Sequence, residues 1–188
     1  WSVSDAAKWI PPTLAGAVTA SRYTLFADST QTGEMHASGL RWDPFAATGY
    51  REVTGGSPSA DAGVHLEITP NPADYGWGLF LYSNAGVLEN LSAFADGHLN
   101  FEVRSDGYPG KLEIGISTDT DDRDIQESFV QISPGEYGYC NNNSWCSVSL
   151  PVRLFLDKNP KLDLRYVNFR FIIADRFSMT GKPLNQTG

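Results

Sequence analysis

Two cysteines, three histidines and 22 carboxylates are the groups in this chain best equipped for covalent, metal or acid–base chemistry. The cysteines stand in Cys140-Asn-Asn-Asn-Ser-Trp-Cys146. A structural zinc ion takes four ligands, and His36, His65 and His98 lie at no ligand-like spacing from that pair. A redox pair of the thioredoxin kind would read Cys-x-x-Cys. The wider spacing suits a disulfide, Cys140 to Cys146, that pinches the base of a polar loop. Chain-entropy arithmetic for so short a loop gives about 2 kcal/mol. Such a bond implies an oxidising compartment, so the expected location is secreted or periplasmic. The alternative is a pair of free thiols in a reducing one.

The carboxylates suggest three kinds of site. A glycosidase needs two of them across the scissile bond. Glu67, Glu102 and Glu113, however, alternate with apolar residues and are expected on solvated sheet faces. Asp119-Thr-Asp-Asp-Arg-Asp124 is rich in oxygen but lacks the Gly and distal Glu of an EF-hand loop. It reads as a solvated acidic loop. Asp28, after the first expected strand, and Asp175, after the last, form the remaining candidate pair for a structural calcium ion. No cofactor is required by any motif. Gly-x-Ser-x-Gly, His-Glu-x-x-His and Gly-rich phosphate loops do not occur. The chain alone is therefore expected not to be an enzyme.

Aromatic residues offer a different chemistry. A sugar ring presents a face of C–H groups and a rim of hydroxyls. A flat aromatic with nearby polar side chains matches both, and loses little entropy when ordered. Five Trp and eight Tyr are present, several beside turn residues. The candidate carbohydrate contacts are Trp145, Tyr108, Tyr137 and Tyr75. For each, core packing or loop anchoring is the competing role. Trp77 shares strand parity with Leu79 and Leu81 and is expected in the core, and Trp42 reads as a packing anchor.

The elements that must position these groups are strands. His98–Arg104, Lys111–Ser117 and Gly63–Thr69 alternate apolar and polar residues, and Val167, Phe169, Phe171 and Ile173 share a parity with Asn168 and Arg170 opposite. Weaker strands are expected at Tyr23–Ala27, Ala37–Trp42, Trp77–Tyr82, Ser128–Ile132 and Ser147–Leu150. Asp106-Gly-Tyr-Pro-Gly110 between two alternating runs predicts a hairpin. Helix is confined to short turns at Ser4–Ile10 and Pro151–Leu156. This pattern predicts an all-β antiparallel β-sandwich of the jelly-roll kind. It occupies residues 21–188, after a 1–20 linker. The 188 residues and 41% hydrophobic content suit one such domain. A net charge of −8 argues against nucleic acid as a partner, and no apolar run of about 18 residues is present to cross a membrane. The chain opens on Trp1 without Met or a signal peptide and reads as a piece of a longer polypeptide.

The order of segments adds a resemblance. Asp61-Ala-Gly-Val-His-Leu-Glu-Ile-Thr69 precedes Leu91-Ser-Ala-Phe-Ala-Asp-Gly-His-Leu-Asn-Phe-Glu-Val-Arg104. Lys111-Leu-Glu-Ile-Gly-Ile-Ser117, Cys146-Ser-Val-Ser-Leu-Pro-Val152 and Val167-Asn-Phe-Arg-Phe-Ile-Ile173 follow. Over about residues 20 to 178 this resembles galactose-binding-like jelly rolls, the architecture of many carbohydrate-binding modules. More narrowly, it resembles the extra C-terminal domain of bacterial glycoside hydrolase family 3 exo-1,3/1,4-β-glucanases and β-glucosidases. The resemblance implies a non-catalytic accessory domain whose partners are the catalytic domain of the same polypeptide and β-glucan. It transfers no catalytic residue. A structural domain that docks on the catalytic body without binding free sugar is the alternative.

Overall fold

The computed structural model describes residues 13–17, 21–25, 35–36, 40–45, 49–56, 64–69, 77–83, 87–107, 110–119 and 124–175. Thirteen strands lie among them: β1 (Thr13–Ala17), β2 (Tyr23–Thr24), β3 (Met35–His36), β4 (Leu40–Phe45), β5 (Gly49–Thr54), β6 (Val64–Thr69), β7 (Trp77–Ser83), β8 (Val87–Asn90), β9 (His98–Val103), β10 (Leu112–Asp119), β11 (Ile125–Ile132), β12 (Cys146–Pro151) and β13 (Val167–Asp175). One short helix, α1 (Arg153–Lys158), follows β12. The all-β sandwich expected from period-two alternation is the observed class. β1 falls within the 1–20 stretch expected to be a linker, and pairs parallel with β8.

β13 is the spine of a seven-stranded sheet. It pairs antiparallel with β10 on one side and with β7 and β8 on the other. β11 extends the sheet beyond β10, and β4 extends it beyond β7. Three two-stranded ladders lie outside it: β9–β12, β5–β6 and β2–β3. Leu99, Phe101 and Val103 of β9, Val148 and Leu150 of β12, and Leu66 and Ile68 of β6 all pack into one cluster with Leu79, Ile114 and Ile173 of the large sheet. The β9–β12 and β5–β6 ladders therefore form the opposing layer of a sandwich, with the apolar faces turned inward.

Three expectations are corrected. Asp106–Gly110 does not close a hairpin between β9 and β10. β9 pairs with β12 in one layer, and β10 pairs with β11 and β13 in the other. Alternation says which face is buried but not which strand lies alongside, so two amphipathic runs joined by a turn can belong to opposite layers.

Glu113 is not on a solvated face either. It is 5% exposed and accepts a hydrogen bond of 3.0 Å from Gln131 Nε2. The second face of the large sheet carries its own apolar cluster, in which Phe129, Ile172 and Ala174 are joined by Phe80 and Phe169. Phe129 lies across Gly115, where a Cβ would stand 2.6 Å from the ring.

Phe169 belongs to that second cluster, away from Val167, Phe171 and Ile173. Two register shifts in β13 against β10 break the strict alternation. The same irregularity buries Arg170, which is 2% exposed. Its Nη2 lies 2.9 Å from Glu89 Oε2, and its Nη1 donates to the Asn168 carbonyl. The Tyr23 phenol meets both side chains; burial first, and then the charge of Glu89, pushes it above its ordinary range.

α1 forms where one helical turn was expected after Pro151. Phe155 is its buried anchor, and Ser128 Oγ of β11 donates to the Phe155 carbonyl at 2.8 Å. Asn159 ends it, donating its backbone N–H to the same carbonyl and its side-chain amide to the Glu127 carbonyl. Trp77 is in the core, as its parity implied.

Candidate functional site

The polar face of the smaller layer is the candidate site. Along β9, His98, Asn100 and Glu102 are exposed while Leu99, Phe101 and Val103 turn inward. In β12 the exposed positions are Ser147 and Ser149, directly opposite Glu102 and Asn100. Ser147 Oγ donates to Glu102 Oε1 at 2.6 Å. Arg104 continues the β9 face beyond the strand, and Trp145 immediately precedes β12. The strand period thus delivers two hydroxyls, an amide, a carboxylate and a guanidinium to one surface, with an indole at its end.

Trp145 ties this ladder to β5–β6. Its indole Nε1–H donates to the carbonyl of Gly56, just past β5, at 2.8 Å. Its ring meets the His65 ring at a centroid distance of 5.6 Å and 80° between planes. The Arg104 guanidinium carbon lies 5.3 Å from the Trp145 ring centroid, in cation–π range. On β6, His65 and Glu67 share the outward parity. Arg51 of β5 pairs directly with Glu67 and donates its Nε–H to Oε2 at 2.7 Å. That hydrogen bond, with the Arg51 charge behind it, holds the Glu67 carboxyl below the usual carboxylate range. His65 Nε2 stands 3.6 Å from Glu67 Oε1, too far for a hydrogen bond. Both imidazole nitrogens are buried without one.

The Cys140–Cys146 disulfide is present, with the two Cα atoms 5.9 Å apart. Its loop is stitched to the chain beyond β9: Asn143 N–H donates to the Ser105 carbonyl at 2.8 Å, and Gly107 N–H to the Asn141 carbonyl at 2.6 Å. Tyr139, beside the bridge, is buried with its hydroxyl 3.4 Å from Ser105 Oγ. Tyr137 is 43% exposed. Its carbonyl accepts from the Ser149 N–H, which seats the 133–139 segment along the edge of β12. Next to it Gly138, at φ 90°, passes so close that a Cβ there would stand 2.1 Å from the Ser147 carbonyl oxygen.

Of the four aromatic candidates, Trp145 and Tyr137 both flank β12; Trp145 is built into a clasp and Tyr137 is open to solvent. Tyr108 and Tyr75 lie outside the described residues. So does Asp28, while Asp175 closes β13 opposite Trp77. No group of three His, Cys, Asp or Glu side chains able to hold a metal ion occurs among the described residues. His65, Arg104, Ser147 and Arg51 were not singled out from the sequence. Strand parity places His65 and Ser147 outward, but nothing local says that both lie beside the loop that carries Trp145.

The model of the family described as Carbohydrate binding domain 30 matches residues 20–180. No curated protein and no solved structure matches the chain. The family match agrees with the carbohydrate-binding part of the resemblance and is silent on a glycoside hydrolase family 3 parent. Its span covers nearly all of the β-sandwich that presents the polar face, and the chain belongs to the carbohydrate binding domain 30 family.

Proposed function

We propose that this chain is the non-catalytic carbohydrate-binding domain of a secreted or periplasmic enzyme that degrades β-glucan. The observation that carries the reading is the family match across residues 20–180. The polar face of β9–β12 supports it, since Asn100, Glu102, Ser147 and Ser149 offer the donors and acceptors that sugar hydroxyls require. Tyr137 supplies an aromatic surface open to solvent beside them. A β-glucan suits the net charge of −8 better than an anionic polysaccharide does. The disulfide supports the exported location. The glycoside hydrolase family 3 parent rests on the segment resemblance alone, and the residues preceding Trp1 in the full polypeptide test it. Calorimetry against laminarin and mixed-linkage glucan tests binding. Affinity in the micromolar to millimolar range is expected, and none down to millimolar overturns the reading.

One observation favours the alternative of a structural docking domain. The indole N–H of Trp145 is committed to Gly56 and its ring carries Arg104, which is how an anchor behaves. Deleting the domain from its parent separates the two roles. Weaker activity on polymers alone follows from lost glycan binding. Lost solubility, or lost activity on short substrates as well, follows from lost docking.

A further inference from the structure

The Cys140–Cys146 loop reaches well beyond its own base. Residue 145 lies next to the bridge in the chain, yet its indole is bonded to Gly56, 89 positions away, and packs on His65. The ends of two ladders meet here: β5–β6 through Gly56 and His65, and β9–β12 through Arg104, Ser105 and Cys146. Between the two cysteines, Asn142, Asn143 and Ser144 are exposed. Asn143 sits at φ 63°, in the left-handed region that asparagine adopts more readily than most non-glycine residues, so the loop turns tightly between the cysteines. The covalent closure is the strongest tie on this loop. The remaining ties are backbone hydrogen bonds from Asn143 to Ser105 and from Gly107 to Asn141, with Ser105 Oγ donating to the Cys140 carbonyl at 3.4 Å.

We infer that the Cys140–Cys146 disulfide is a redox-sensitive latch: closed, it keeps Trp145 clasped on the β5–β6 ladder, and reduced, it lets the indole leave Gly56 and His65. The co-reactant is a dithiol. Its thiolate attacks the sulfur of Cys140, which is half-buried where Cys146 is buried, and Cys146 leaves as a thiolate. The second thiol of the reductant then attacks the mixed disulfide and frees Cys140. Two electrons pass to the cysteine pair, both sulfurs end as thiols, and the dithiol ends as a cyclic disulfide. The large sheet holds neither cysteine, so its core of Leu79, Ile114 and Ile173 stays closed in both states. The consequence is local: an indole N–H and an aromatic edge are released onto the polar face.

The test uses the whole chain labelled with nitrogen-15, without any sugar, so it is independent of glycan binding. The five Trp give five indole signals, and Trp145→Phe assigns the one of interest. On adding dithiothreitol, the Trp145 indole signal is expected to move and its N–H to exchange at least about tenfold faster. The amides of Ile114 and Ile172 are expected to keep their protection. The double variant Cys140→Ser with Cys146→Ser is expected to match the reduced spectrum. An indole signal with the same position and exchange in both states overturns the latch. Loss of protection at Ile114 and Ile172 together with the indole also overturns it, because the bridge is then a staple of the whole fold.

Discussion

β9 and β10 read alike as sequences and live differently in the structure. Each alternates three apolar residues with polar ones, and each sends its apolar set into the same cluster. Among the described residues β9 pairs with β12 alone, and its other face meets solvent. β10 runs between β11 and β13, and is buried on both faces from Leu112 to Thr118. The contrast separates two questions. Alternation reports which face is driven inward by the hydrophobic effect. What happens to the other face depends on whether a second cluster lies over it, as Phe129, Ile172 and Phe169 do here.

Arginine–glutamate pairs in the two layers give the largest expected effect. Arg170–Glu89 is enclosed in the large sheet's surroundings, whereas Arg51–Glu67 lies on the polar face. Arg170→Met leaves Glu89 with an uncompensated charge and is expected to destabilise by about 3–5 kcal/mol in urea unfolding. Arg51→Met is expected to change the urea midpoint little, because solvent already screens that pair. Equal effects would mean that the two layers are equally open to water.

Glycine 115 sharpens the same contrast through packing. Gly115→Val places a branched side chain where Phe129 already lies, with Ile172 close behind. The expected loss is about 1–3 kcal/mol or more, with displacement of the Phe129 ring. Ring-current shifts at Ile172 read that displacement directly. The two glutamates follow. Glu113→Ala removes a buried carboxylate and its hydrogen bond from Gln131, whose own side chain is exposed and can turn to water, so the expected loss is about 1 kcal/mol. Glu102→Ala removes only an exposed acceptor from Ser147, and the melting temperature is expected to hold.

These contrasts mark what was legible in the sequence. The runs at β6, β9, β10 and β13 were legible because period-two alternation is a local signal. The Trp77 parity was legible for the same reason. Sheet order was not, because Asp106–Gly110 carries the turn chemistry of a hairpin whether the next strand returns alongside or crosses to the other layer. Phe169 and Arg170 were misplaced because β13 shifts register twice, and a bulge leaves no mark in alternation. At the candidate site, the disulfide was legible from spacing. The clasp on Gly56 and His65 was not, since it joins segments far apart in the chain. Neither Thr54-Gly-Gly nor His65 carries a local signal of that distant partner.

The smallest expected effect comes from a carboxylate at the entrance to β13. Asp163 caps the 3-10 turn Leu164–Tyr166, accepting from the Arg165 backbone N–H at 3.0 Å, and its side chain also receives the Arg165 guanidinium. The side-chain hydrogen bond from Arg165 is the main cause that holds this carboxyl below its ordinary value of 3.8, against the opposing pull of burial. A folded-state value below the unfolded one favours the folded state wherever the carboxylate is ionised in both. The contribution is therefore complete above the ordinary value and fades as pH falls through the lowered one. Arg165 is largely exposed, so solvent screens the pair and the effect is small. Asp163→Asn keeps an acceptor for the backbone N–H and removes only the charge. Melting curves are expected to place this variant a degree or two below the parent at neutral pH. The gap should begin to narrow below about pH 4 and close once pH has fallen through the lowered value, where the folded parent loses its charge as well. A gap that stays constant from pH 6 to pH 2 would assign the stabilisation to the cap alone, and Glu67, held low by Arg51 on the polar face, would then be the better place to look for a charge that folding detects.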